Sequence, residues 1–390
     1  MRTANSVFSA LGTTVFTVMS ALAAEHDAIN LGQGFPDDEG PDDVRAAAAR
    51  AILDGPNQYP PMMGVPALRQ AVAAANRRFY GLDVDWQKEV MVTSGATEAL
   101  NDCLTALLNP GDEAIIFEPA YDSYRPVIEA AGAKVVAVPL EPPHWSLPLE
   151  KLEAAFSDRT KLVVINTPMN PIGKVFTREE LETLAGLIER HDAYAVCDEV
   201  YEHLVFSGHT HVPLMTLPGM RERCLRIGSA GKTFSLTGWK IGYVTGPAHL
   251  MEVVAKTHQF VTFTTPPGLQ SAVAYGLGKD DDYFAGLASS LEAKRDLLAK
   301  GLREAGFGVL PADGTYFISA DFRPLGFNGT DDEFCREITV KAKVAAIPLS
   351  AFYSSPDAPR HLARFCFCKQ DAILNEASAR LKGYAEGRKE

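Results

Sequence analysis

The chain has 390 residues, a length that suits two to three domains at about 150 residues each. Its 46% hydrophobic and 22% charged residues suit a globular protein with a large core. A formal charge of −12 at pH 7 excludes a broad cationic face for nucleic acid and disfavours anionic membrane surfaces, leaving room only for a local basic pocket around a small anion.

At the N-terminus, Ser20-Ala21-Leu22-Ala23-Ala24 looks cleavable. The cationic start is Arg2 alone, however, and Thr13, Thr14, Thr17 and Ser20 interrupt the apolar stretch, so the segment reads as part of the fold. No run approaches 18 uninterrupted apolar residues, and no membrane span is expected. From 89 to 246, short β-rich runs alternate with helical patterns. Residues 89–93 read as a strand and 96–108 as a helix; 114–117, 135–138 and 162–165 are further apolar runs. Thr177 with Glu180 forms a capping box that opens a helix over 178–189. Strands at 194–197, 224–228 and 241–244 follow. Strands without strict alternation, separated by helices, predict an α/β fold with a mostly parallel sheet covered on both faces. Beyond about 270, long helical patterns (281–305, 332–343, 371–384) and short strands (315–320, 364–368) predict a smaller α+β domain. The expected division is an N-terminal segment 1–35 packing with the small domain, a large domain 36–275 and a small domain 276–390.

The six cysteines are scattered, mostly inside apolar runs. Cys366 and Cys368 would share a strand face but lack C-x-x-C spacing, so reduced, buried thiols in a cytoplasmic protein are expected. His203, His209 and His211 lack a matching carboxylate or cysteine spacing; they read as a solvated loop, and no metal is expected.

Ligands of an open α/β sheet sit at the carboxyl ends of strands. Gly32-Gln33-Gly34 begins like a dinucleotide fingerprint, but Asp37 occupies the third glycine position. Gly231-Lys232-Thr233 resembles the end of a P-loop, yet Arg226 stands where its first glycine belongs. NAD and ATP are both demoted. What remains is Ser94-Gly95-Ala96-Thr97 between strand and helix, whose free amides and Thr hydroxyl suit one phosphate; alone, it is also a common turn. Further strand ends carry Glu118-Pro119-Ala120-Tyr121, Asn166-Thr167-Pro168-Met169-Asn170-Pro171-Ile172-Gly173, Asp198-Glu199-Val200-Tyr201, Ser229-Ala230-Gly231-Lys232 and Gly238-Trp239-Lys240-Ile241-Gly242.

In this order the set resembles the class I/II pyridoxal-phosphate aminotransferases over almost the whole chain. The nearer resemblance is to the branch of kynurenine, glutamine–phenylpyruvate and bacterial methionine aminotransferases. It is carried by Asn30-Leu31-Gly32-Gln33-Gly34-Phe35-Pro36-Asp37, Asn57-Gln58-Tyr59, Ala345-Ala346-Ile347-Pro348-Leu349-Ser350 and Arg364-Phe365-Cys366-Phe367. The resemblance implies pyridoxal 5′-phosphate on the fold-type I scaffold, with Lys232 forming the Schiff base and later moving the proton. It implies that Asp198 keeps the ring nitrogen protonated, Tyr201 and Asn170 donate to the ring phenolate, and Tyr121 stacks on the ring. Gly95, Ala96, Thr97, Ser229 and Lys240 would hold the phosphate. Lys240 stands where the wider family usually has Arg, a substitution shared with the kynurenine branch. Tyr59 would reach the phosphate from the other subunit of a homodimer, and Arg364, helped by Asn170 and the Gly34 backbone, would grip the substrate carboxylate. Seen alone, each has a plainer reading: Asp198 a strand-end acid, Asn170 a turn residue, the tyrosines core or interface rings, Lys232 a surface lysine, Arg364 a surface ion pair.

Dicarboxylate-specific relatives recruit a second arginine from the neighbouring subunit. The stretch 258–266, expected to face that pocket, has none. An apolar, aromatic or sulfur-containing L-amino donor of the methionine, phenylalanine, glutamine or kynurenine type is therefore expected, with a 2-oxo acid as acceptor in a ping-pong reaction. The alternatives are a cysteine-conjugate β-lyase or an aspartate-type aminotransferase on the same scaffold. A regulator built on this fold would carry an N-terminal DNA-binding domain, for which the residues before the fold are expected to leave no room.

Overall fold

Seven apolar runs pair into one central sheet, ordered Val90–Ser94, Ile241–Thr245, Cys224–Ser229, Tyr194–Asp198, Thr160–Asn166, Glu113–Glu118 and Lys134–Pro139. The pairings from 224–229 to 134–139 are parallel; Ile241–Thr245 runs antiparallel to both of its neighbours. The inner strands are buried along their length, which is why their sequences show continuous Val, Ile and Leu instead of alternation. The computed structural model describes Arg2 and residues 4–388. Positions 1, 3, 389 and 390, the outermost parts of the first and last expected segments, lie outside the described residues.

The Thr177 capping box forms as the spacing predicts and starts helix Arg178–Arg190. Helix Gly95–Leu107 begins one residue earlier than the pattern suggests, and Gly95 adopts a left-handed φ of 70° where the chain turns from strand into helix. A second, antiparallel sheet is built from Gly308–Val309, Phe317–Asp321, Ile347–Pro348 and Leu362–Cys366. The last of these ends at Cys366, two residues before the expected limit, yet the Cys366 and Cys368 sulfurs still lie 3.1 Å apart. Ile29–Asn30 pairs in parallel with Val344–Ala345, tying the N-terminal segment to the C-terminal region.

One segment is apolar on average although hydroxyl residues interrupt it. Ser6–Glu25 spans 20 residues at mean hydropathy 1.7, enough by length and composition to cross a membrane, because alanines and isolated hydroxyl residues lower the average little. It is folded as two helices, Ser6–Ala10 and Val15–Glu25. Each is capped by a polar side chain, Asn5 and Thr14, and extended backbone at Leu11 and Thr14 separates them. The second helix buries Met19 and Ala23.

Candidate active site

The parallel strands deliver their last residues to one edge of the sheet. Asn166 is in register with Asp198, and Asp198 with Ile227 two residues before Ser229. At this edge lies a cavity of about 390 Å³. Gly34, Gly95, Ala96, Thr97, Tyr121, Asn170, Asp198, Tyr201, Ser229, Lys232, Lys240 and Arg364 all line it, so twelve residues named from the sequence meet in one place. Tyr59 does not. It stands 82% exposed, packed edge-on against Phe263 at 5.5 Å.

Asp198 is buried. Tyr124 donates to its Oδ2 at 2.6 Å, while Oδ1 has no hydrogen-bond partner. Burial pushes the carboxyl up to about 6 against the pull of the Tyr124 hydrogen bond and of Lys232. Lys232 is half-buried, and desolvation lowers its pKa from the ordinary range; Cys368, Asp198 and Cys366 oppose that shift and Lys240 reinforces it. Its Nζ donates to Tyr316 Oη at 3.0 Å and lies 5.8 Å from the Tyr201 ring centroid. Burial likewise drives the Tyr201 phenol up, so it stays protonated and able to donate.

Across the cavity the Arg364 guanidinium is sandwiched by rings. Its carbon sits 4.1 Å from the Phe317 centroid, 5.0 Å from Phe352 and 5.3 Å from Phe16. It donates to Asn170 Oδ1 at 3.0 Å and to the Gly32 carbonyl, and its Nε is buried without a partner. Burial lowers it to about 10, so it remains charged at neutral pH. Gly34 lies flush on the aromatic wall: a Cβ there would stand 2.4 Å from Phe317 Cζ.

Opposite, the N-terminus of helix Gly95–Leu107 faces Lys240. A Cβ at Gly95 would lie 3.1 Å from Lys240 Nζ, and one at Gly242 would overlap Gly95 C at 2.5 Å and Ala96 N at 2.7 Å. These two glycines let strand, lysine and helix start close up into a cradle of amides, hydroxyls and one cation. An acid with a free buried oxygen, an amine with depressed basicity and an anion cradle on one wall fit pyridoxal 5′-phosphate: ring nitrogen, aldehyde and phosphate each meet a suitable partner.

One sequence expectation changes here. Two of the histidines leave the solvated loop: His211 is buried with Nε2 3.0 Å from Glu199 and His203 packs on Phe79 and Phe284, while His209 stays exposed in the loop, 3.3 Å from Asp313. Each imidazole has a partner of its own from another element. The stretch 258–266 is named for the pocket of the neighbouring subunit; in its own chain none of its residues lines the cavity, and His258 turns into the core against Glu98. Sequence reasoning missed Tyr124 and Tyr316. Tyr124 opens helix Tyr124–Ala130 and follows Tyr121 across a tight turn, its N–H donating to the Tyr121 carbonyl at 3.2 Å, with the ring centroids 5.7 Å apart; for Tyr316 no local signal exists.

A half-buried lysine, a buried acid and an anion cradle at the carboxyl edge of a mostly parallel sheet define a pyridoxal-phosphate enzyme of fold type I, a transaminase. The family model for aminotransferase class I and II matches residues 26–381, and the chain belongs to that family. It is 46% identical to a probable N-succinyldiaminopimelate aminotransferase of Mycobacterium tuberculosis, covering 96% of both chains. It is 42% identical to the methionine aminotransferase of Escherichia coli, covering 95% of this chain and 96% of that one. With mouse kynurenine–oxoglutarate transaminase 3 it shares 41% identity, over 94% of this chain and 87% of that one. The solved structure of the M. tuberculosis N-succinyldiaminopimelate aminotransferase superposes with a TM-score of 0.95 over 98% of this chain and all of the other.

Proposed function

We propose that this aminotransferase takes its amino group from an apolar, aromatic or sulfur-containing L-amino acid of the methionine, phenylalanine, glutamine or kynurenine type and passes it to a 2-oxo acid. The observation that carries this reading is the charge of the cavity wall. Its cations are Lys232, Lys240 and Arg364; the first two belong to the cofactor, which leaves one guanidinium for one carboxylate. The rest of the donor side is aromatic, with Phe16, Phe35, Tyr121 and Phe317, and Asp122 adds a negative charge that disfavours a second carboxylate.

Bound pyridoxal phosphate supplies an aldehyde that condenses with amines and a protonated ring that takes up the electron pair left at the α-carbon. Lys232 provides the amine that holds the cofactor, and once free its Nζ carries the proton from the donor's α-carbon. Asp198 Oδ1 holds the ring N–H. Asn170 gives its Oδ1 to Arg364, which leaves its amide N–H groups, with the Tyr201 hydroxyl, to donate to the ring phenolate. Helix amides, Ser229, Thr97 and Lys240 hold the phosphate. Arg364 presents its planar fork to the substrate carboxylate, with Asn170 and the Gly34 backbone beside it.

The active unit of this proposal is a homodimer, with Tyr59 reaching the partner's phosphate. Its support is a set of apolar side chains exposed on the single chain: Leu53 and Phe260 at 84%, Tyr59 at 82%, and Phe8, Leu11 and Phe263. The proposed location is the cytoplasm, which the six buried free cysteines suit.

A steady-state screen of the twenty amino acids with several 2-oxo acids tests the donor class. An apolar, aromatic or sulfur-containing donor should give the highest kcat/KM; aspartate in that position would overturn the reading. The 46% identical relative supports a second reading, a donor with a long N-acylated side chain, and N-succinyldiaminopimelate in the same screen decides between them. Pyruvate and ammonia released from a cysteine conjugate without an oxo acid would reveal β-lyase activity.

A further inference from the structure

Tyr316 is the side chain that the Lys232 amine touches. Its oxygen accepts an Nζ–H at 3.0 Å, and its own proton goes to the Gly34 carbonyl at 2.8 Å. The ring is buried one residue before strand Phe317–Asp321 and meets Tyr201 edge-on, with centroids 5.2 Å apart. A phenol has a single proton. With that proton committed to Gly34, Tyr316 has none to give to the lone pair of a neutral Lys232. The contact therefore fixes the amine through one N–H and leaves the lone pair free to take a proton. The loop that accepts from Tyr316 at Gly34 also accepts from Arg364 at Gly32, two residues away. It lies against the same rings: a Cβ at Gly34 would stand 3.3 Å from Tyr316 Cε2.

We propose that Tyr316 is a positioning residue for transamination: its hydroxyl holds the free Lys232 amine with the lone pair available to the donor's α-carbon, and couples that amine through Gly34 to the loop that anchors Arg364. The inference rests on the reading of Lys232 as the reacting amine. The charged and titratable groups around that amine are Asp198, Lys240, Cys366, Cys368, Tyr201 and Tyr316 itself.

Tyr316→Phe keeps the ring and removes the oxygen. In the cofactor-free protein, trace acetylation of Lys232 across pH, read by peptide mass spectrometry, reports the basicity of the amine. An oxygen that accepts from the amine favours its charged form, so losing it should lower the apparent pKa by about one unit. In the holoenzyme with L-methionine as probe, kcat should fall about ten- to a hundredfold, with KM within about twofold. The rate effect of deuterium at the donor's α-carbon should rise as proton transfer becomes slower. Tyr316→Gln, which retains an acceptor oxygen, should lie nearer the wild type on both readouts. An unshifted pKa together with a kcat within about twofold of wild type would overturn the proposal, as would equal losses in the two variants. Failure of the underlying reading shows differently: the cofactor would stay covalently attached in Lys232→Ala, whatever Tyr316 does.

Discussion

Tyr124 donates to Asp198 Oδ2 across 2.6 Å and leaves Oδ1 as the carboxylate oxygen without a partner. One oxygen is thus held in place by the protein while the other is kept for the cofactor ring, a division that orients the acid before the cofactor arrives.

The relationship makes cofactor affinity depend on pH. The site needs Asp198 ionised, and burial has already brought its pKa to about 6. Affinity in the apoenzyme should therefore fall as the pH drops through that value. Tyr124→Phe removes a hydrogen bond that favours the ionised form, so the fall should move upward by about one pH unit. Equilibrium titrations with the cofactor at several pH values check this; a transition that stays in place contradicts it. Asp198→Asn should retain cofactor better than turnover, with kcat reduced about a hundredfold or more.

Lys240 stands against the helix start at Gly95 and is the cation proposed to meet a cofactor phosphate carrying nearly two negative charges. The helix terminus contributes only about 0.3–1 kcal/mol per charge, so the lysine dominates the electrostatics. Lys240→Ala should weaken cofactor binding about ten- to a hundredfold and flatten its dependence on salt. Unchanged affinity in a direct titration would remove Lys240 from the cradle.

Behind the cradle, Glu98 and Asp102 sit one turn apart on helix Gly95–Leu107 and face His258, whose Nδ1 lies 2.7 Å from Glu98 and 3.7 Å from Asp102. Burial opposes a charged His258 most strongly, but the Glu98 hydrogen bond and charge, the Met62 carbonyl and the Asp102 charge together outweigh it and hold the imidazole above its ordinary pKa. Burial, then the Glu98 charge, push Asp102 up to about 7 from an ordinary 3.8. A carboxyl that binds its proton more tightly when folded makes stability fall as the pH rises from about 4 through about 7. Asp102→Asn removes that dependence. Its gain in Tm over the wild type should be larger at pH 8 than at pH 5, by a few degrees at about 1 °C per kcal/mol for a chain of this length. Equal shifts at the two pH values would contradict the assignment.

The site was legible where chemistry lies at the end of a strand. Asp198, Ser229 and Lys232 each follow a short apolar run, and two prolines mark the loop carrying Asn170, so local pattern alone brings them to one sheet edge. The parallel fold was legible for the same reason: burial on both faces writes continuous apolar strands. Tyr316 was hidden because it comes from the second sheet, 84 residues after Lys232, and only tertiary packing brings the two together. The fate of His203 and His211 was hidden too, since the partners Phe79 and Glu199 arrive from other elements. Tyr59 was named for a role across a subunit boundary, and in the single chain it lies on the surface.

The attachment point of the cofactor tests the account most directly. Holoenzyme reduced with borohydride and digested should carry the cofactor's mass on the peptide containing Lys232, and Lys232→Ala should lose both the label and the visible absorbance. A label on any other lysine, or a wild-type protein that binds no cofactor, would contradict it.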